Sequence, residues 1–527
     1  MPARDSSFLA AAWIRAAVCA VLLCGSAAGW PSQPAAQAQA TPADASGFHE
    51  EVMGELSPGS EIGGELVGDH HLVWIEKTGG KRIVRLDGKQ QGGTYDDAKD
   101  WAWNQDESHF AFFGKRNGTW ALVLDGKEQT PEFKRTTSLA FQPHGNSVAF
   151  CGCNDKKCRL VVDNSETGAE YEDVSFPQYS RDGLRLAFFG KRAKKWIAIV
   201  DGKETGPELD DFWPVAWGFN RDASRFYVAG WVKPGWTYVV NGQPGPAFDV
   251  ISPIAFSRDG SHFAYGGTNA IGGFKKQKTI GTIVVDGHST DKFEGKGLLG
   301  AWTVLGGSTQ MIATGVRVFT TDFHGISDPQ FNPQGKLVYA ARRDKGDVAV
   351  LVESEAGPGF DEILSPVAFS EDSQHFVYVA REGDQFVEVR DNLPGRPFSL
   401  SRHEATDVQW IALTADATHV AFETVSGGKQ YKAGSTTRAL RSVVIDGRAG
   451  AEYDALALGG FEFDRDARHY FYEIFGAKGD RDIVNVDGHE SKLYDSVAHA
   501  RFSEDHKTMS FVARDARRFL RVTYAFE

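Results

Sequence analysis

At 527 residues the chain is too long for one ordinary domain, and its 41% hydrophobic and 12% aromatic content excludes a wholly disordered polypeptide. With 58 Gly, 36 Phe and 14 Tyr against only 4 Met, the composition favours many short strands and tight turns over helical bundles. A net charge of -13, from 70 acidic and 57 basic residues, excludes a nucleic-acid binder that works through bulk positive charge.

The first predicted element is an export signal. Arg4 and Arg15 precede an apolar stretch from Ala16 to Leu23, and Ser26-Ala27-Ala28 supplies the small residues of a cleavage site. The signal is expected over residues 1–28, with alternative cleavage near 38–40 in Ala36-Gln37-Ala38 or Ala38-Gln39-Ala40. Residues 29–47, rich in Ala, Gln, Pro and Ser, read as a linker. No later segment approaches the ~18 apolar residues of a spanning helix. The expected location is therefore periplasmic or secreted, with no membrane span once the signal is removed.

Beyond the linker one line recurs. It reads "IAFSRDGSHFAYGG", a variable stretch, then "TIVVDGHSTDKF", and it returns as "QYSRDGLRLAFFGKR" with "WIAIVDGKETGPELDDF". The apolar residue that anchors each copy falls at Leu66, Trp103, Phe141, Tyr179, Phe219, Phe256, Val304, Phe331, Phe369, Leu413, Phe463 and Phe502, and the copy at Val304 is the weakest. Each copy parses as four strands. The third and fourth are joined by Asp-Gly or Asn-Gly, as at Asp87-Gly88, Asp201-Gly202, Asn241-Gly242 and Asp487-Gly488. Those pairs accept the positive φ of a type I′ turn, so the recurring Asp is expected to be a turn residue.

Four antiparallel strands per ~40 residues predict an all-β chain, a β-propeller of about twelve four-stranded blades. Because single propellers carry four to eight blades, the twelve divide as two six-bladed rings in tandem, residues 48–300 and 301–527, with seven plus five as the other division. The last copy stops after three strands, while "FHEEV" at Phe48 to Val52 resembles the fourth-strand signatures "YEDV" and "YDSV". This N-terminal piece is expected to supply the missing strand and close the final blade. Trp101, Trp217 and Trp302, two residues before the anchor position, are expected to pack between blades.

The S-x-D-G turn followed by an aromatic strand resembles the bacterial WD-like repeat of the TolB-type propeller superfamily. The likeness spans roughly residues 60–527 and does not extend to that family's preceding α/β domain. It implies the propeller fold and an exported protein, and such propellers host many unrelated tasks.

Three cysteines lie together in "CGCNDKKC". Cys153 facing Cys158 across a hairpin predicts a disulfide, with Cys151 free or as the rival partner. Zinc would need a fourth ligand from elsewhere. G-x-S-x-G, P-loop, G-x-G-x-x-G and H-E-x-x-H motifs are absent, and no cofactor or catalytic residue is assigned. The loops joining second and third strands are basic and variable, whereas the connections between blades are acidic. One reading is a network of charge pairs between them. The other is a recognition face on which the two longest loops, 266–281 and 423–441, meet a partner. The candidate binding residues there are Lys275, Lys276, Lys278, Lys429, Tyr431, Lys432 and Arg438. The expected function is non-enzymatic binding of a protein, peptide or envelope polymer, with no nucleic acid. The alternative is a carbohydrate-active hydrolase or lyase with its site in a propeller mouth.

Overall fold

The computed structural model describes residues 47–296 and 329–526, apart from 156, 272–277, 343–346, 354, 371–373, 399–404, 427–438 and 478. The export signal, most of the linker, the repeat at Val304 and Trp302 lie outside the described residues. Among the described residues, strands make up eleven antiparallel sheets, each ordered first-second-third-fourth. Blade 1 comprises Glu61–Val67, Leu72–Thr78, Lys81–Leu86 and Lys89–Tyr95. Blades 2 to 6 follow over residues 97–128, 135–171, 173–209, 211–244 and 250–296. Blade 7 covers 330–356, blade 8 covers 362–394, blade 9 covers 405–455 and blade 10 covers 457–490. Blade 11 takes its first three strands from 496–525 and its fourth from Phe48–Glu55. This repeated order is that of a β-propeller, with eleven of the twelve expected blades among the described residues.

The sheets fall into two compact units. Ser57–Leu299 clusters with Thr321–Gly357, which collects blades 1 to 7. Pro358–Glu527 clusters with the segment ending at Leu56, which collects blades 8 to 11. This grouping differs from the sequence-based ranges 48–300 and 301–527. Repeat similarity fixes where each blade begins but carries no information about which blades pack together.

Within each unit the core is the contact between successive blades. Val73, Ile75 and Tyr95 of blade 1 meet Phe110, Phe112 and Val123 of blade 2. Further along, Phe189 of blade 4 stacks on Phe212 of blade 5 with ring centroids 4.1 Å apart. In the C-terminal unit, Phe471 and Val484 of blade 10 meet Phe511, Leu520 and Phe48 of blade 11. Second strands are therefore covered on both faces and read as continuous apolar runs, such as "FAFFG" in blade 2. Trp101 and Trp217 pack in these joints.

The closing strand behaves as its sequence suggested. Phe48–Glu55 pairs antiparallel with Arg518–Ala525, Phe48 opposite Tyr524 and Val52 opposite Leu520. Phe48 is sunk in the core and its neighbour His49 is exposed, whereas further along Glu51 and Val52 are both exposed.

Two local devices repeat. At the third–fourth turns, Asp87, Asp125, Asp201, Asn241, Asp286, Asp446 and Asp487 take φ between 47° and 51° and are followed by Gly at positive φ. The side chain then reaches back to the start of the second strand. In blade 1 the Leu72 N–H donates to Asp87 Oδ1, and in blades 2, 6 and 9 the N–H groups of Phe110, Phe263 and Val420 do likewise. Where a histidine precedes that residue, its Nδ1 meets the other carboxylate oxygen, as in His71–Asp87, His109–Asp125, His262–Asp286, His375–Asp391, His419–Asp446 and His469–Asp487. Six of the fifteen histidines thus share this one partner type.

The second device is a β-bulge in the first strand. Register slips at Ile62/Gly64, Lys99/Ala102, Thr137/Leu139, Ser175/Gln178, Phe212/Trp217, Val408/Ile411, Gly459/Glu462 and Ala498/Arg501. Asp100, Ser138, Phe176 and His499 accordingly take φ of 51° to 61°. An added residue in one strand bends it and re-aims its side chains.

Candidate recognition face

Antiparallel order places the second–third hairpins and the blade-to-blade connections at one end of each sheet, opposite the Asp-Gly turns. Here the basic hairpins meet the acidic connections. Lys81 lies 2.5 Å from Asp96 in blade 1, and Lys195 pairs with Asp210 in blade 4. Arg116 pairs with Glu128 at 2.8 Å and Arg192 with Glu204 at 2.9 Å, each reaching the fourth strand of its own blade. Arg135 of blade 3 crosses to Asp173 of blade 4 at 2.9 Å. Exposed pairs of this kind contribute about 0–1 kcal/mol each. Their consequence is local order, because both side chains are committed to the frame.

A regular triplet runs across three strands of several blades at this end. In blade 2, Asp97 faces Lys115 and Lys115 faces Trp120. In blade 4, Asp173 faces Lys191 and Lys191 faces Trp196. In blade 8 the order is Glu362, Arg381, Phe386. The lysine ammonium covers the indole in both tryptophan cases, 5.3 Å from the Trp120 centroid and 5.0 Å from that of Trp196. In blades 2 and 4 the lysine thus lies against the indole while the acid pairs with an arginine, Asp97 with Arg82 and Asp173 with Arg135; in blade 8 the cation Arg381 pairs with the acid Glu362 itself.

The cysteines belong to the second–third hairpin of blade 3. Cys153 and Cys158 face each other in register and are joined as a disulfide. Cys151 is free and fully buried, and burial pushes its thiol well above the ordinary range. Among the described residues the one group of three Cys, His, Asp or Glu side chains whose ligand atoms all approach within 4.8 Å is Cys153, Cys158 and Asp173. Arg135 Nη2 already donates to Cys158 Sγ and Asp173, and disulfide sulfurs are not thiolate ligands.

Of the candidate binding residues, Lys275, Lys276, Lys429, Tyr431, Lys432 and Arg438 lie outside the described residues. Lys278 opens the strand Lys278–Val285 with its backbone opposite Ile271. The side chains of all seven thus lie outside what the structure describes.

Sequence reasoning passed over three buried glutamates. Glu76 accepts from Ser57 Oγ at 2.8 Å and lies 2.9 Å from Arg85. Burial raises its carboxyl, but hydrogen bonds from Ser57, Arg85 and Trp74 outweigh that and hold it below the ordinary value. Glu423 pairs with buried Arg441 at 2.6 Å, yet burial still pushes it up to about 7. Among the described residues no cation pairs with Glu473. It accepts from the Ala500 N–H at 3.3 Å, faces the Asp482 charge, and is pushed up to about 7 by burial. The signal was present as a lone Glu inside "AFETV" and "YFYEIF", at positions where blades 2 and 4 carry Phe113 and Phe189.

No family model matches the chain, and no curated protein does. Among solved structures it is similar to a eukaryotic initiation factor, at 9% identity over 82% of this chain and 98% of that one, TM-score 0.37. It is also similar to the Dos1 propeller, at 10% identity over 74% and 92%, TM-score 0.30. TolB from Acinetobacter baumannii matches at 15% identity over 46% and 62%, TM-score 0.24. The assignment as a β-propeller rests on the strand pairing of the chain itself.

Proposed function

We propose that the protein is an exported, non-enzymatic β-propeller that binds a protein, peptide or envelope polymer through the end carrying its second–third hairpins. The supporting observation is the contrast between the two ends. The Asp-Gly end repeats one hydrogen-bond plan from blade to blade. The hairpin end holds a frame of committed ion pairs, and the sequence gives its second–third connections unequal length and composition; rigid scaffolds that carry variable loops are built for recognition. Signal removal delivers the protein to the periplasm or medium, in keeping with a TolB-type repeat. The unit at Val304 supplies a twelfth blade and the blades close as two rings. The seven sheets that cluster between residues 57 and 357 favour seven plus five over six plus six. The test is affinity capture from the envelope fraction with intact protein and a variant lacking residues 427–438. Loss of the captured species from the variant supports the reading, and equal capture refutes the role of that loop.

A further inference from the structure

Blade 5 breaks the triplet. Its acid is in place, because Asp211 occupies the position of Asp97 and Asp173 and caps the next N–H in the same way, Phe212 N–H donating to Oδ1 at 2.9 Å as Ala98 and Val174 do to their aspartates. Its aromatic ring is in place as well, as Trp236. The residue between them, a lysine in blades 2 and 4, is Trp231. The equivalence is backed by the main chain, since Asp210 N–H donates to the Trp231 carbonyl as Asp96 and Glu172 do to those of Lys115 and Lys191.

Three indoles gather at this point. Trp213 lies 5.1 Å from Trp236, and Trp231 meets Trp236 edge-on at 5.6 Å. All three are half-buried, and Pro214, Val215, Lys233 and Pro234 close to them in sequence are exposed. Among the described residues no lysine or arginine lies over any of these rings, whereas Trp120 and Trp196 are each covered by their own blade's lysine. Asp211 is exposed, and no ion pair engages it among the described residues.

We infer that blade 5 carries a binding site for an alkylammonium cation, formed by Trp213, Trp231, Trp236 and Asp211, in which the ligand lies against the exposed parts of the indoles as Lys115 and Lys191 lie against Trp120 and Trp196. An ammonium over indole faces with a carboxylate beside it is favourable, most of all where the rings are partly shielded from water. The chain supplies a precedent for the contact itself, since it twice places an ammonium over an indole at this register. The ammonium can be the side chain of a partner's lysine or a free quaternary amine. This assigns a ligand class to the end read above as a recognition face, through residues distinct from its long loops.

The test is calorimetric titration of the full mature chain with Nα-acetyl-lysine amide and with tetramethylammonium. Saturable binding is expected, and a preference for one ligand over the other identifies the source. Trp231→Lys installs the internal cation and is expected to weaken binding by about tenfold or more, and Trp236→Leu to do the same. Asp211→Asn is expected to weaken it several-fold, and increasingly so at low salt. Unchanged melting of each variant shows that the fold is kept. Deleting residues 427–438 leaves cation binding intact, so failure of the loop reading and failure of this site are told apart. No saturable binding of either ligand, or equal binding by Trp231→Lys and the parent, overturns the inference.

Discussion

The Tyr494 hydroxyl donates to Glu50 at 2.8 Å, joining side chains 444 residues apart in sequence. The same bond occurs between adjacent blades elsewhere, from Tyr95 to Glu128 at 2.8 Å and from Tyr453 to Glu490 at 2.9 Å. The N-terminal strand therefore enters a latch that the repeat already possesses, and Lys492 Nζ strengthens it 2.8 Å from Glu50. Phe48 adds the apolar share, packing on Phe511 and Tyr524.

Closure by this strand predicts that Phe48→Ala costs about 3–5 kcal/mol in blade 11, the usual range for a buried Phe. Hydrogen exchange is the direct measurement. Amides of Arg518–Ala525 are expected to lose protection in the variant while those of blade 3 keep theirs. Uniform loss would mean that the strand is not a local closure.

Glu473 predicts a pH dependence whose sign is set by its folded value standing near 7, above the ordinary 4.5. A carboxyl raised in this way makes a contribution that is complete below about 4.5 and lost as pH rises through about 7. Glu473→Gln keeps an acceptor for the Ala500 N–H and removes the charge. It is expected to gain on the order of 3 kcal/mol over the parent at pH 8–9 and nothing at pH 4. Denaturant midpoints at the two pH values decide the matter. Glu423→Gln should behave oppositely at neutral pH, destabilising the chain because Arg441 is left buried without its partner.

The Cys153–Cys158 disulfide closes a short hairpin, so reduction is expected to cost about 2 kcal/mol by the chain-entropy account. Cys151 supplies the internal control. Its buried, protonated thiol should resist alkylation in the native protein and take one label on unfolding, measured by intact mass. Native labelling at the unfolded rate would contradict its burial.

Asp286 both holds the positive-φ turn and accepts from Phe263 N–H and His262. Asp286→Ala is expected to cost about 1–3 kcal/mol, from the orphaned N–H and the strained turn. Asp286→Asn, which tolerates the same φ, should recover most of it. Thermal melting of both variants checks this.

Much of the fold was legible because its signals are local. Asp-Gly pairs, anchor aromatics and the "FHEEV" signature each lie within a few residues, and each led to a turn, a strand end or the closing strand. The bulges were not legible, since residues as different as Gly64, Asp100, Phe176 and His499 occupy them. Nor were the buried glutamates. Alternation identifies a solvent face only where one exists, and second strands here are covered on both sides. The open triplet of blade 5 was hidden for a third reason. Trp231 follows Gly230 as Lys115 and Lys191 follow Gly114 and Gly190, each five residues before a tryptophan, but which carboxylate faces it is known only from the cross-strand register.

The measurement closest to the central claim compares the two ends of the blades. A photo-crosslinking residue at Asn117 or at Lys194 lies on the hairpin end, and one at Arg258 or Glu504 lies among the first–second turns of the opposite end. Envelope partners should form adducts from the first pair of sites and not from the second. Adducts of equal yield from both ends, or only from Arg258 and Glu504, would contradict recognition through the hairpin face.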